Sequence, residues 1–305
     1  MHIGMVGLGR MGLNMALRLH QGGHIVTGYN KSPEKTKKAE GLGIRGAYSL
    51  KDLASALPAP PSPKVVWLMV PAGEAVDSTI AALKKSLKPG DVIIDGGNSF
   101  YKDSIRRHKE LAASGIMFID AGVSGGIWGL TEGYCIMAGG DKAVFDSLEP
   151  VFKSLVQEGG CLRCGGPGSG HFVKMVHNGI EYGLMEAYAE GFELMKASAY
   201  GGDLDLKDIA RLWMRGSVVR SWLLELLETA LSRDPVLEAI SGYVEDSGEG
   251  RWTVNEAVDL GVSLPVITEA LFRRFRSRQD DSFAEKVLAA LRKEFGGHSV
   301  KIEGE

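Results

Sequence analysis

The sequence predicts a doubly wound, parallel α/β sheet followed by an all-α domain. Short apolar runs alternate with helical patterns in the first half, a glycine-rich turn follows the first run, and the second half contains only helical patterns. A length of 305 residues suggests roughly two domains. We predict a boundary in the glycine-rich segment before residue 169, which gives domains of 1–168 and 169–305.

The elements of the first domain follow from short apolar runs, which are typical of strands buried on both faces. The predicted strands cover 3–6, 25–30, 65–70, 92–95 and 117–120, and the predicted helices cover 11–19, 73–87 and 103–114. In the second domain a long helical pattern covers 172–198, and turns at 201–202, 234–235, 247–248 and 261 separate the helices that follow.

The composition excludes several classes of function. Lys and Arg number 35 against 38 Asp and Glu, so the formal net charge is −3 and no nucleic-acid partner is expected. No apolar run approaches the ~20 residues of a membrane span, and the N-terminus has no signal-peptide pattern. The 3 Cys residues are too few for a disulfide framework or a zinc site. We expect a cytoplasmic protein without a membrane partner or a metal.

A G-x-G-x-x-G motif follows the first predicted strand and opens the first predicted helix. Glycines at this spacing permit a tight turn and let backbone N–H groups approach a pyrophosphate at the helix N-terminus. The context is that of a Rossmann dinucleotide site. The predicted cofactor-binding residues of this motif are Gly7, Leu8, Gly9, Arg10, Met11 and Gly12.

The end of the second strand bears on the choice of cofactor. NAD-binding sites usually carry a carboxylate there, which binds the ribose 2′-hydroxyl. This strand ends in Asn30, Lys31 and Ser32, which can donate hydrogen bonds to a 2′-phosphate. The pattern favours NADP, and use of NAD stays open because Lys is a flexible point charge.

Two further patterns carry polar groups that suit an anionic substrate. Ser124-Gly125-Gly126 offers a hydroxyl and adjacent amides. On the long helix, Lys, His, Asn and Glu recur at i, i+3, i+4 and i+7, a spacing that places them on one face. Such a stripe is usually only solvated, but this one follows a glycine-rich segment at the predicted domain junction. Its members are Lys174, His177, Asn178 and Glu181.

Together these residues resemble the 6-phosphogluconate dehydrogenases (decarboxylating), in their short bacterial form, within the β-hydroxyacid dehydrogenase superfamily. The matching segments follow the family's order over nearly the whole chain. They are 7–16, 95–99, 123–126, 174–182, 251–253, the helix around Arg274, and the tail 295–298.

The resemblance implies a role for each matched position. Lys174 would be the general base at the substrate C3 hydroxyl, and Glu181 would protonate C1 after decarboxylation. Val70, Pro71, Ala72 and Asn98 would lie along the cofactor. The substrate carboxylate and first hydroxyls would contact Asn98, Ser124, Gly125, Gly126, His177 and Asn178. The phosphate would contact Tyr182 and Arg274, with Arg292 and His298 supplied by a second subunit of a homo-oligomer, dimer or tetramer.

The chain departs from the long form of the family in two ways. Ser247 and Glu249 stand where the long form has a Lys and a Thr that bind phosphate, so those roles are not carried over, and Arg251 is a candidate to compensate. The chain also lacks the long form's second copy of the helical domain, which we expect another subunit to supply.

The resemblance implies oxidative decarboxylation of 6-phosphogluconate to ribulose 5-phosphate and CO2. An ordinary Lys pKa of ~10.4 is too high for a base near neutrality, so we expect burial to lower the pKa of Lys174. Two alternatives stay open at this point: a β-hydroxyacid dehydrogenase that does not decarboxylate, and a non-catalytic NADP-binding sensor.

Overall fold

The first half of the chain forms one eight-stranded sheet with the strand order β3-β2-β1-β4-β5-β6-β7-β8. The computed structural model describes residues 1–296, 299 and 301. Neighbouring strands run parallel except β6 and β7, which are antiparallel. The strands are β1 (His2–Val6), β2 (Ile25–Tyr29), β3 (Arg45–Ala47), β4 (Val65–Leu68), β5 (Val92–Asp95), β6 (Met117–Ser124), β7 (Tyr134–Gly140) and β8 (Val156–Gly165).

Helices cover both faces of this sheet, as the doubly wound class requires. Along β4, Trp67 packs into one hydrophobic cluster while Val66 and Leu68 pack into the other. This double burial explains why the strand is a continuous apolar run. The helices of this half are α1 (Arg10–Gln21), α2 (Pro33–Glu40), α3 (Leu50–Ala56), α4 (Glu74–Leu83), α5 (Tyr101–Ala112), α6 (Gly129–Glu132), α7 (Lys142–Ser147) and α8 (Glu149–Leu155).

The predicted fold class is confirmed, and the structure adds elements that the sequence analysis missed. These are α2, β3 and α3 after the second strand, and the segment from α6 to β8. The sheet is therefore not wholly parallel. β6 also continues to Ser124, four residues past the predicted end, because it pairs with β7 up to Cys135.

The second half of the described chain is helical, with no strand after β8. It comprises α9 (Ser169–Ala197), α10 (Leu206–Trp213), α11 (Trp222–Arg233), α12 (Glu249–Leu260), α13 (Pro265–Arg276) and α14 (Phe283–Gly296). The structure divides into two compact units, 1–177 and 178–305, so that α9 belongs to both. The domain boundary predicted before residue 169 stays a prediction.

Candidate active site

The glycine motif lies between β1 and α1 and has the shape that a pyrophosphate requires. Gly7 has a φ of +95°, and a Cβ on it would lie 2.3 Å from the Met69 carbonyl oxygen. A Cβ on Gly12 would lie 2.0 Å from the Gly7 carbonyl oxygen, whereas at Gly9 it would meet nothing within 4 Å. The open space at Gly9, the N-cap of α1, fits a dinucleotide phosphate at the helix N-terminus.

Asn30, at the end of β2, has a structural role that the sequence did not reveal. Its side-chain oxygen accepts a hydrogen bond from the Leu8 backbone N–H at 2.9 Å, and its amide nitrogen lies 3.4 Å from the Ser32 carbonyl oxygen. Asn30 therefore holds the glycine motif against the second strand. Lys31 and Ser32 are exposed beside it, and their contact with the cofactor stays a prediction.

The polar turn after β6 meets the first half of α9. The Ser124 hydroxyl lies 3.4 Å from His177 Nε2, and His177 Nδ1 lies 3.4 Å from the Lys174 ammonium nitrogen. His177 thus lies between the Ser124 hydroxyl and the Lys174 amine. Its ring can hold these two groups in a fixed relative position. The two glycines that follow Ser124 have φ values of +125° and +53°.

Lys174 is only 8% exposed, although it is charged in its ordinary state. The absence of a side chain on Gly122 makes this possible, because a Cβ there would lie 2.3 Å from Lys174 Cβ. The start of α9 is fixed by Asp120 of β6, whose carboxylate accepts hydrogen bonds from Gly168 N at 2.7 Å and His171 N at 2.9 Å. The helix that carries Lys174 is therefore anchored to the sheet.

Two further sets of residues predicted to contact the cofactor lie at the carboxyl ends of adjacent strands in the first unit. The segment Val70, Pro71 and Ala72 follows β4, and the exposed Asn98 follows β5. Since β4 and β5 are parallel neighbours, both turns emerge at the same edge of the sheet. Ligands of open α/β sheets bind at this edge.

In the second unit, the structure brings together Tyr182 and Arg274, the two residues predicted to bind phosphate. The Arg274 guanidinium carbon lies 3.4 Å from the centre of the Tyr182 ring, a cation–π contact. Arg274 also donates to the Glu245 carbonyl oxygen at 3.0 Å, and the Tyr182 hydroxyl accepts from Ser247 N at 3.3 Å. These contacts fix the guanidinium beside the phenol.

Ser247 and Glu249, which replace the Lys and Thr of the long form, are hydrogen-bonded to each other. Glu249 is 1% exposed at the start of α12, and one of its carboxylate oxygens accepts a hydrogen bond from the Ser247 hydroxyl. The other oxygen has no hydrogen-bond partner within the part of the chain that the structure describes. A buried carboxylate therefore occupies the position of the long form's Thr.

Arg251 does not offer an unpaired charge to compensate. Its guanidinium donates to both carboxylate oxygens of Asp246, at 2.7 and 3.0 Å, and Arg278 donates to the same carboxylate at 2.9 Å. These arginines lower the pKa of Asp246 to about 2. The sequence carried no signal for this arrangement, because Asp246 belongs to none of the matched segments.

The remaining predicted residues are placed as follows. Asn178 and Glu181 lie on the part of α9 that belongs to the second unit, four and seven positions after Lys174, and Arg292 is exposed on α14. His298 lies outside the described residues.

Burial raises the pKa of Cys161 to about 12, so this thiol stays protonated. Among the described residues, no cluster of His, Cys, Asp and Glu could hold a metal ion, and no helix could span a membrane.

Family models match both halves of the chain. The NAD-binding domain of 6-phosphogluconate dehydrogenase matches residues 2–166, and the C-terminal domain of 6-phosphogluconate dehydrogenase matches residues 170–301. A putative 6-phosphogluconate dehydrogenase of Bacillus subtilis is 44% identical over 99% of both chains. A Haloferax volcanii protein, named 6-phosphogluconate dehydrogenase, NAD(+)-dependent, decarboxylating, is 42% identical over 98% of both chains.

Longer relatives and solved structures agree with this match. An NADP(+)-dependent, decarboxylating 6-phosphogluconate dehydrogenase of Bacillus subtilis is 39% identical, and the match covers 94% of this chain and 63% of that one. The solved 6-phosphogluconate dehydrogenase of Plasmodium falciparum has a TM-score of 0.82 at 30% identity, covering 100% of this chain and 67% of that one. The chain therefore belongs to the 6-phosphogluconate dehydrogenase family.

Proposed function

We propose that the chain catalyses the oxidative decarboxylation of 6-phosphogluconate to ribulose 5-phosphate and CO2, with reduction of NADP or NAD. The observation that carries this proposal is the buried Lys174, which contacts His177, whose ring in turn contacts Ser124. Relatives that match the whole chain are named for this activity or for the decarboxylating, NAD(+)-dependent form of it. We infer that the protein acts in the cytoplasm.

The oxidation step needs a base at the substrate C3 hydroxyl. A nicotinamide cofactor held at the glycine motif of residues 7–12 would supply the hydride acceptor. Lys174 removes the hydroxyl proton as the general base, from a position that is 8% exposed. His177 lies within 3.4 Å of the Lys174 ammonium nitrogen, so it can orient that group toward the substrate. Ser124 and His177 then serve as positioning groups for the carboxylate end of the substrate.

The decarboxylation step needs an acid rather than a base. The 3-keto acid loses CO2 because its C3 carbonyl accepts the electron pair, and the protonated Lys174 can donate to that oxygen. Glu181, on the same helix, protonates C1 of the resulting enediol. This gives the stripe on α9 two opposite roles, which explains a Lys and a Glu at i and i+7.

We assign the other predicted residues to substrate and cofactor. Lys31 supplies charge for a 2′-phosphate, so we expect NADP to be preferred over NAD. Tyr182 and Arg274 contact the substrate phosphate. The substrate carboxylate and hydroxyls contact Asn98, Ser124, Gly125, Gly126, His177 and Asn178.

We further propose that a second subunit completes the phosphate site with Arg292 and His298. Within the second unit, Glu249 is buried beside Ser247 and Arg251 is paired with Asp246, so neither position adds to the charge that Arg274 offers a phosphate. An apolar groove of about 850 Å³ lies among the second-unit residues of α9, α10 and α11 and the segment after α11. Exposed apolar side chains on α9, such as Leu194 at 72%, support a homo-oligomer, dimer or tetramer.

A substrate panel tests the proposed function. The purified chain is given 6-phosphogluconate, gluconate or 3-hydroxyisobutyrate, each with NADP and NAD, and initial rates are followed by nicotinamide absorbance. We expect a kcat/KM for 6-phosphogluconate at least about 100-fold above the others, because a bound phosphate contributes several kcal/mol. Preference for an unphosphorylated acid would reject the proposal.

A further inference from the structure

We infer that Arg107, a buried arginine of α5, is a positioning residue that holds together the two turns that follow β4 and β5. The inference rests on the proposed function, since both turns carry residues assigned there to cofactor and substrate. One turn follows β4 and contains Pro71 and Ala72. The other follows β5 and contains Asn98.

Arg107 is 1% exposed, and each part of its guanidinium has a different partner. Its Nη2 donates to the Gly73 carbonyl oxygen at 3.2 Å, and its Nε donates to Asp77 at 2.7 Å. Gly73 is the N-cap of α4, so these two bonds fix the end of the first turn where the helix begins.

The third contact reaches the other turn. Arg107 Nη1 donates at 3.3 Å to Asp95, which is fully buried at the end of β5. The Asp95 carboxylate also accepts from Gly97 N at 3.2 Å and from the Ser99 hydroxyl at 2.8 Å. Asn98 lies between Gly97 and Ser99, so the residues on both sides of it are hydrogen-bonded to the Asp95 carboxylate.

The two turns are also packed directly against each other. A Cβ on Gly97 would lie 2.8 Å from the Val70 carbonyl oxygen, and a Cβ on Gly96 would lie 2.1 Å from Trp67 Nε1. The Asn98 turn therefore has no room to shift toward β4, and Arg107 prevents it from moving away. The exposed Asn98 side chain is thus presented from a rigid backbone.

The charge arrangement favours a geometric role over a stabilising one. A buried ion pair such as Arg107 with Asp95 contributes little net stability, because desolvation offsets the attraction. The planar guanidinium of Arg107, however, fixes the distances to Gly73, Asp77 and Asp95 at the same time, which a Lys could not do. Positioning errors of about 1 Å near a reacting centre can lower rates by about 100-fold.

Ser99→Ala and Arg107→Lys test the inference in the full chain. Ser99→Ala removes the hydrogen bond from the Ser99 hydroxyl to Asp95 without leaving a charge unpaired. Arg107→Lys keeps the positive charge but loses the planar guanidinium with its three donors. We expect kcat with 6-phosphogluconate to fall about 10-fold in each, while the NADP dissociation constant changes less than about threefold. Ser147→Ala, which removes a hydrogen bond within α7, is the matched control and keeps wild-type kcat.

An isotope effect separates positioning from general destabilisation. With 6-phosphogluconate deuterated at C3, slower hydride transfer in Ser99→Ala makes the isotope effect on kcat larger than in the wild type. Wild-type kcat and isotope effect in both variants would overturn the inference. Loss of kcat in proportion to loss of folded protein, with the isotope effect unchanged, would also overturn it. Absence of turnover in the wild type would instead reject the proposed function.

Discussion

Lys174 is the residue on which the proposed chemistry depends. It is a long cationic side chain that is 8% exposed, and it is accommodated because Gly122 has no side chain to collide with it. Burial of an amine favours its neutral form, which is the form a base needs. The lowered pKa expected for Lys174 and its role as the base stay predictions.

Replacing Lys174 by Met tests this assignment. Met keeps a similar length but cannot take a proton, so kcat with 6-phosphogluconate should fall by about 10²–10⁴-fold. NADP binding, measured by fluorescence titration, should change less than about twofold. Lys153→Met, at an exposed lysine paired with Glu149, is the control. Turnover that survives in Lys174→Met would show that another group is the base.

Lys31 carries the predicted preference for NADP. Replacing it by Glu puts a carboxylate at an exposed position beside the end of β2, where it would repel a 2′-phosphate. We expect kcat/KM for NADP to fall at least about 10-fold while that for NAD changes less than about threefold. Equal effects on both cofactors would mean that Lys31 does not read the 2′-phosphate.

Several of these residues could be named from sequence, and others could not. Gly7, Gly9 and Gly12 have a recognisable spacing, and Lys174 and Glu181 share a helical periodicity. Asp120 and Gly122 gave no such signal, because their roles depend on contacts with a helix about 50 positions later. Pairings between distant segments have no local pattern.

At the scale of elements, the packing of β6 against α9 sets the position of the Lys174 amine, the proposed base. Gly122→Ala would place a methyl group 2.3 Å from Lys174 Cβ. Overpacking of this kind costs about 1–3 kcal/mol in the free energy of unfolding, and a displaced Lys174 should lower kcat. Gly191→Ala on α9, where a Cβ meets nothing within 4 Å, should raise stability by about 0.5–1 kcal/mol instead. Urea unfolding and initial rates of the two variants measure the difference.

The segment between α11 and α12 is held by the ion pairs of Asp246. Because the pKa of Asp246 is lowered to about 2 in the folded chain, its contribution is present above the unfolded pKa of ~3.9 and is lost as pH falls toward 2. Asp246→Asn should therefore reduce the free energy of unfolding at pH 7 by about 1–2 kcal/mol, after allowing for the exposure of Arg251.

Denaturation at pH 7 tests this value against a surface pair. Asp146→Asn removes an exposed ion pair with Lys142 and should change stability by less than about 0.5 kcal/mol. If both variants lost the same amount, the buried pairing of Asp246 would have no special role.

Predictability at this scale followed the strength of each local pattern. The apolar strands β1, β2, β4 and β5 were recognised, because burial on both faces leaves a continuous hydrophobic run. The three-residue β3 was too short to detect, and β7 ends in Ala-Gly-Gly, which resembles a turn. The antiparallel pairing of β7 followed from no feature of the sequence.

For the whole molecule, the exposed apolar surface of the second unit predicts association. Leu194 is 72% exposed on α9, and Phe283 is 79% exposed at the start of α14. We expect light scattering to give a mass that is a multiple of 32.8 kDa. Leu194→Asp should reduce that mass, and activity should fall with it if the phosphate site is completed in trans. An active monomer would contradict the shared site.

The most direct test of the account measures both products of the reaction at once. The chain is incubated with NADP and 6-phosphogluconate labelled with carbon-13 at C1, and labelled CO2 and reduced cofactor are quantified in the same sample. We predict equal amounts of the two. Reduced cofactor without labelled CO2 would contradict the account, because the chain would then oxidise its substrate without decarboxylating it.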